Sequence, residues 1–216
     1  MHVGVDEAGK GPVLGPMVAA AVRAPADALP DAVDDSKRLS ASRREDLAAA
    51  LRAHPEVTVA VAAVTTDRID DPGTDMNRLT VAGQAEAVAG VVRDGDRVLA
   101  DAGDVDEARF GRRLREAVAD AGRDVEVTAE HGADASHAHV AAASVVAKVE
   151  RDSRIDSVAA AYEGEVGSGY PSDPTTRTFL REYVERHGEL PDCARASWQT
   201  CEDVLALAEQ SALSEF

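Results

Sequence analysis

Two adjacent acids, Asp6 and Glu7, end the apolar run Val3-Gly4-Val5, and Gly9-Lys10-Gly11-Pro12 follows at once. His2 to Asp6 is too short and too β-branched for a helix, so it reads as a buried strand that stops at carboxylates. A carboxylate in that position needs hydrogen bonds, a cation or water to offset its desolvation. A strand end also fixes ligand oxygens firmly while leaving them in a cleft, which suits metal chemistry. Taken alone, the two acids are equally compatible with the mere start of a turn. The theme recurs at Arg97-Val98-Leu99-Ala100-Asp101, a second short apolar strand ending in an acid.

The neighbouring residues narrow the chemistry. Gly9-Lys10-Gly11 lacks the third glycine of a dinucleotide loop, with Leu14 in its place, and no phosphate-loop motif ending in Lys-Ser or Lys-Thr exists. His131, His137 and His139 flank Asp134, but their spacing is unlike a helical metal pair, and surface or capping roles suit them better. The candidate ligands are therefore oxygens, which points away from zinc.

The elements that must position these groups can be read in order. Val18 to Val22 is a second strand, and Pro25 and Pro30 make the next segment a loop. Asp35-Ser36-Lys37 precedes a helix capped by Ser40 or Ser42, with Leu47, Ala48 and Leu51 on its apolar face and Glu45 at capping-box spacing from Ser42. Residues 57–64 read as a strand, 67–74 as a turn-rich loop and 76–92 as a helix packed on a sheet. After the strand ending at Asp101 come a helix over 109–121, with Phe110, Leu114 and Val118 on one face, and a strand over 125–129. The longest helix runs from about 136 to about 162, its first half nearly all Ala and Val. A Gly- and Pro-rich loop over 164–174, a helix over 175–186, a break holding Arg195 and Trp198, and a helix over 202–209 complete the chain. Strands alternating with helices after an initial meander give an α/β fold with a mixed sheet.

Composition sets the solvent more than the substrate. The 216 residues suit one compact domain with a small C-terminal helical extension, and with 3% aromatics its core must be built mainly from Ala, Val and Leu. A formal charge of −17 argues, read alone, against binding nucleic acid. Abundant Asp and Glu with only three lysines, Lys10, Lys37 and Lys148, resemble the soluble proteins of salt-accumulating archaea. There the Debye length shrinks to about 3 Å and long-range repulsion disappears. No run of 18 apolar residues suggests a spanning helix, Cys193 and Cys201 are too few for a disulfide framework, and the cytoplasm is the expected compartment.

The sequence resembles ribonuclease HII, archaeal type, at six separated sites: DEAGKGPVLGP at 6–16, DSK at 35–37, Asp101, HGAD at 131–134, AAASVVAKVERD at 141–152 and GSGYPSDP at 167–174. The resemblance implies a ribonuclease H-like fold, with a mixed five-stranded sheet flanked by helices and its first three strands antiparallel. It makes the strand ending at Asp101 a parallel neighbour of the first, so that Asp6 and Asp101 emerge together with Glu7 on the adjoining turn. The fourth acid falls at Asp134; Asp152 competes, but beside Arg151 it reads as a structural ion pair. Four such acids imply two Mg²⁺ or Mn²⁺ ions about 3.5–4 Å apart, suited to phosphodiester hydrolysis.

The same resemblance assigns substrate contacts to Gly9, Lys10 and Gly11, whose backbone would approach the ribose 2′-hydroxyl, and to Tyr170, which would stack on the following deoxyribose. Lys10 stands where the family usually has Arg, keeping the charge and losing the two-pronged donor geometry. Ser36, Lys37, Ser144 and Lys148 would line the nucleic-acid track, Ser144 and Lys148 on one helical face. The expected activity is endonucleolytic hydrolysis of the RNA strand of RNA/DNA hybrids, and at ribonucleotides embedded in DNA, leaving 3′-hydroxyl and 5′-phosphate. Its rivals are a hybrid-binding module without turnover and another metal-dependent phosphodiesterase on the same fold. Arg195 and Trp198 match an R-x-S-W element, with Trp198 read as a packing anchor. Gln210, Leu213 and Phe216 have the spacing of a sliding-clamp-binding tail without its customary second aromatic, and equally suit a frayed helix end with Leu213 and Phe216 turned back onto the body. Residues 1–198 then form the catalytic domain and 199–216 a terminal helix with that tail, in a monomer.

Overall fold

The computed structural model describes residues 1–30, 32–33 and 39–214, and side chains up to residue 210. Five strands form one sheet: β1 His2–Ala8, β2 Met17–Ala24, β3 Thr58–Val64, β4 Arg97–Asp101 and β5 Glu126–Glu130. Their order is β3-β2-β1-β4-β5, with β1, β2 and β3 antiparallel and β4 and β5 parallel to β1. This is the mixed sheet with an antiparallel start that the resemblance implied.

Every residue of β2 is buried, as expected of a strand covered on both faces. The helices are α1 Ala41–Ala53, α2 Thr66–Ile69, α3 Met76–Ala89, α4 Glu107–Asp120, α5 Ala138–Ala159, α6 Pro174–His187 and α7 Gln199–Ser214. One apolar layer joins β1, β2 and β4 to α3 and α4, where Phe110, Leu114 and Val118 recur at helical spacing and are wholly buried. The opposite layer sets Ala20, Val22 and Ala24 of β2 against α1 and the Ala-Val half of α5. A third cluster, including Val13, Leu14, Phe179, Leu180 and Cys201, ties α6 and α7 to the loop after β1.

The element boundaries lie within a few residues of those expected; one open choice is decided, and two differences are informative. Of the two candidates, Ser40 caps α1, accepting from Arg43 N at 3.4 Å. The loop over 67–74 opens with the short helix α2, too brief to leave a periodic signature. The last helix is longer, 199–214, because its residues lack the breakers that would stop it.

At the far end of β1 a buried ion pair anchors the sheet. Arg23 on β2 donates to Asp96 through Nε at 2.6 Å and Nη2 at 3.2 Å. Burial pushes the Asp96 carboxyl up, but its bonds from Arg23, Arg93 N and the amino terminus outweigh that and hold it at about 2. A carboxyl depressed in the folded state stabilises above its unfolded pKa and loses that contribution as pH falls through the folded one. Asp96→Asn should therefore cost about 2–3 kcal/mol at neutral pH, and the difference from the parent should close between about pH 4 and pH 2. Unfolding midpoints measured across that range check it.

Candidate active site

The parallel register pairs Val5 with Ala100, so the next residues, Asp6 and Asp101, lie side by side. β1 runs on to Ala8, so Glu7 sits in the strand opposite Ala19 of β2 and not on an adjoining turn, because the ladder to β2 continues past the acids. Because successive side chains alternate across a sheet, Asp6 and Glu7 leave it on opposite faces. Asp6, 5% exposed, looks toward α5, where the Ser144 hydroxyl reaches it. Glu7 looks toward α3, where Gln84 Nε2 donates to its Oε2 at 2.7 Å and to the Asp101 carbonyl at 3.0 Å.

The acids feel one another. Burial, then the charges of Glu7 and Asp101, push the Asp6 carboxyl well above the usual range against the opposing Ser144 bond. Burial likewise raises Glu7 to about 7, although Gln84 and the Lys10 charge pull it down. Asp101 Oδ1 accepts from Ala133 N at 2.8 Å. That bond fastens the 3₁₀ turn carrying Asp134, residues 133–135, to the end of β4. Asp152, by contrast, pairs with Arg151 at 3.2 Å and is half exposed, as a structural ion-pair residue would be.

The donor chemistry suits hard cations: an all-oxygen set in which two carboxyls are raised by burial and mutual repulsion, which a divalent ion would relieve. Among the described residues no three His, Cys, Asp or Glu side chains converge closely enough to enclose an ion, and Glu7 is tied to Gln84 instead. The three histidines near Asp134 have other partners. His131 meets Glu107 at 2.9 Å and the Asp104 carbonyl at 2.7 Å, His137 meets Glu130 at 2.9 Å, and His139 meets the Ala24 carbonyl at 3.0 Å.

The Gly9-Lys10-Gly11 turn lies at the same sheet end. Lys10 Nζ donates to the Gly103 carbonyl, beside Glu7. A Cβ at Gly11 would meet nothing within 4 Å, so this position faces open space. An open cleft lined by Lys10, Asn77, Gly103, Asp104, Arg109 and His131 runs from here past the end of β4. Tyr170, 40% exposed, comes alongside because Val13 N and Leu14 N both donate to the Gly169 carbonyl, at 2.8 and 3.2 Å. Its loop is tightly set. Asp173 accepts from Ser168 N and Ser168 Oγ at 2.7 Å and from Thr175 N at 2.9 Å, bonds that hold its carboxyl at about 2. Ser144 and Lys148 do share a face of α5, with Lys148 Nζ donating to Ser144 Oγ at 2.7 Å. Ser144 is buried against Asp6, which leaves Lys148 as the outward member. Ser36 and Lys37 lie outside the described residues.

Comparison with known proteins bears directly on this arrangement. The family model for ribonuclease HII matches residues 3–201. Ribonuclease HII of Halobacterium salinarum is 62% identical over 213 residues, covering 99% of this chain and 98% of its own. The crystal structure of ribonuclease H2 from Pyrococcus horikoshii superposes with a TM-score of 0.86 at 34% identity, over 97% of this chain and 99% of its own. A ribonuclease HII from Archaeoglobus fulgidus, solved in complex with PCNA, gives 0.83 at 36% identity, over 94% and 96%.

This chain belongs to the ribonuclease HII family. It is a divalent-metal-dependent endonuclease that cleaves the RNA strand of RNA/DNA hybrids. The halophilic character read from composition agrees with its relatives among salt-requiring archaea. The roles of two residues of this ribonuclease HII escaped the sequence reading. Gln84 looked like one more helix residue; only its placement opposite β1 and β4 reveals it as the donor bridging Glu7 and Asp101. Arg195 was visible as part of a motif, but its partners are backbone carbonyls, which no sequence pattern names.

Proposed function

We propose that this ribonuclease HII cuts at single ribonucleotides embedded in duplex DNA as well as within RNA/DNA hybrids, leaving a 3′-hydroxyl and a 5′-phosphate. The observation that carries the reading is the joining of two devices at one sheet end: the strand-end acids, and a glycine turn bonded through its own continuation to the Tyr170 loop. In this reading Asp6, Glu7, Asp101 and Asp134 hold two Mg²⁺ or Mn²⁺ ions. Bound there, such ions supply the Lewis acidity that makes water nucleophilic and stabilises the leaving 3′ oxygen.

The protein's own groups do the rest. Asp6 and Asp101, fixed by adjacent strands, define the position of the scissile phosphate, and Ser144 keeps the Asp6 carboxylate oriented. The Gly9-Lys10-Gly11 backbone approaches the ribose 2′-hydroxyl, and Tyr170 presents a half-exposed ring to the neighbouring sugar. Lys10 and Lys148 place positive charge where an otherwise acidic surface must accept phosphate. Ser36 and Lys37 are assigned to the same track by their motif alone.

Tyr170→Phe keeps the ring and removes the hydroxyl, so cleavage at an isolated ribonucleotide should fall about tenfold more than cleavage of a long hybrid. Parallel kcat/KM measurements on the two substrates check it, and an equal loss on both would remove Tyr170 as a ribose sensor.

Three wider assignments accompany this reading. The chain works in the cytoplasm; none of its described helices is long and apolar enough to cross a membrane. Residues 1–198 act as one catalytic unit in a monomer. Gln210, Leu213 and Phe216 dock on a sliding clamp, a reading supported by the PCNA complex of the Archaeoglobus fulgidus relative. Gln210 is exposed near the end of α7, while Phe216 lies outside the described residues.

A further inference from the structure

Arg195 is wholly buried, and the carboxylate whose charge favours its guanidinium, Asp70, acts on it without a direct hydrogen bond among the described residues. Its donors go to three backbone carbonyls of the loop after β1: Nη2 to Gly9 at 2.6 Å, Nη1 to Lys10 at 3.0 Å and Nε to Gly15 at 2.9 Å. Its own N–H donates to the Val13 carbonyl at 2.8 Å, and Trp198 Nε1 donates to the Gly11 carbonyl at 3.4 Å. Asp70 holds this grip in place from outside, accepting from Ala196 N at 2.8 Å and Ser197 N at 3.0 Å. A buried charge is costly, and it is normally matched by an acid. Here Asp70 contributes its charge from nearby, and the guanidinium's hydrogen bonds all go to backbone carbonyls.

Peptide geometry gives that grip a consequence. In a planar trans peptide the C=O and the following N–H point in opposite directions. With the Gly9 and Lys10 carbonyls drawn back onto Arg195, the N–H groups of Lys10 and Gly11 are turned the other way. Neither N–H has a protein acceptor among the described residues, and the space beside Gly11 is open. Two outward N–H groups side by side form a concave donor pair of the kind that binds phosphate and hydroxyl oxygens.

A second arginine treats the other half of the sugar reader similarly. Arg151 donates through Nη2 to the Ser168 carbonyl at 2.6 Å and lies 5.0 Å from the Tyr170 ring centroid. A Cβ at Gly169 would stand 3.0 Å from the same Nη2, and one at Gly9 3.1 Å from Arg151 Cγ. Arg151 thus packs between the turn and the tyrosine loop.

We infer that Arg195 is a positioning residue for ribonucleotide specificity: it aims the Lys10 and Gly11 N–H groups at the ribose and its phosphate by capturing the carbonyls behind them. The inference rests on the assignment of that turn to the ribose. A long hybrid offers a 2′-hydroxyl in every register, so a slightly displaced turn still finds a cleavable alignment. An isolated ribonucleotide offers one register only.

The test is Arg195→Lys, whose single ammonium cannot span three carbonyls, beside Trp198→Phe, which removes the Gly11 bond and trims the ring lying 5.1 Å from the Arg195 guanidinium. In about 3 M KCl, kcat/KM at one embedded ribonucleotide should fall about a hundredfold for Arg195→Lys, and on a long hybrid about tenfold. Trp198→Phe should change the ratio in the same direction by a smaller factor. A purely structural role would lower both substrates equally, and that result overturns the inference. If circular dichroism finds Arg195→Lys unfolded, Trp198→Phe decides alone: an unchanged ratio overturns it, a shifted one supports it. Parent enzyme that leaves the embedded ribonucleotide uncut would bring down the ribose assignment and this inference together. Parent cleavage with a Tyr170→Phe effect but no Arg195→Lys effect would bring down this inference only.

Discussion

Asp101→Asn should abolish cleavage, by about 10³-fold or more, while leaving the protein folded and no less stable in metal-free buffer. Asparagine retains an Oδ1 that can accept from Ala133 N, so the 2.8 Å bond holding the Asp134 turn to β4 survives the change. What disappears is a negative charge that raises both Asp6 and Glu7. Relief of that repulsion favours the metal-free fold, whereas a divalent ion loses an anionic ligand. Activity and stability should therefore move in opposite directions, which a merely misfolded variant would not do. Thermal unfolding with and without Mn²⁺, together with single-turnover cleavage, checks both halves. Parent-like turnover would mean that Asp101 is not among the acids that matter, and a lower midpoint without metal would mean that the Asp101 carboxylate's own bonds outweigh its repulsion of Asp6 and Glu7.

The parts of this site that were legible in the chain are those written in side-chain types close together. The acid ending β4, the apolar stripe of Phe110, Leu114 and Val118, and the pairing of Asp152 with Arg151 follow from local pattern and reappear in the structure, whereas β1 runs past Asp6 and Glu7 to Ala8 because its pairing with β2 continues there. The adjacency of Asp6 and Asp101 does not follow from pattern, because strand order is a tertiary fact; family resemblance supplied it and the β1–β4 register carries it. The alternation that sends Asp6 toward Ser144 and Glu7 toward Gln84 is implicit in any strand, but the partners waiting on each face depend on which helix covers it. Arg195 marks the limit most clearly. Its bonds are to carbonyls, which every residue possesses, so nothing in the identity of Gly9, Lys10 or Gly15 announces them.

Gly4 is the position where a single carbon should do most damage to the fold. A Cβ there would stand 2.1 Å from the carbonyl carbon and 2.3 Å from the carbonyl oxygen of His139, and 2.4 Å from Val140 N. These are backbone atoms in the first turn of α5, so no side chain can swing aside, and the helix itself must move. That helix carries Ser144 against Asp6, and the turn bearing Asp134 leads directly into it. Gly4→Ala should cost about 3 kcal/mol or more and lower cleavage with it, since lifting α5 from β1 separates the parts of the site. Gly11→Ala is the contrast: its Cβ enters open space, so the unfolding midpoint should stay within about 0.5 kcal/mol of the parent while substrate approaching the turn meets an added methyl group. The pair separates a glycine needed for helix-to-strand contact from one needed for ligand contact. Equal midpoints for the two variants would show that α5 yields at no cost, and the close packing of that helix on β1 would no longer explain how the site is held together.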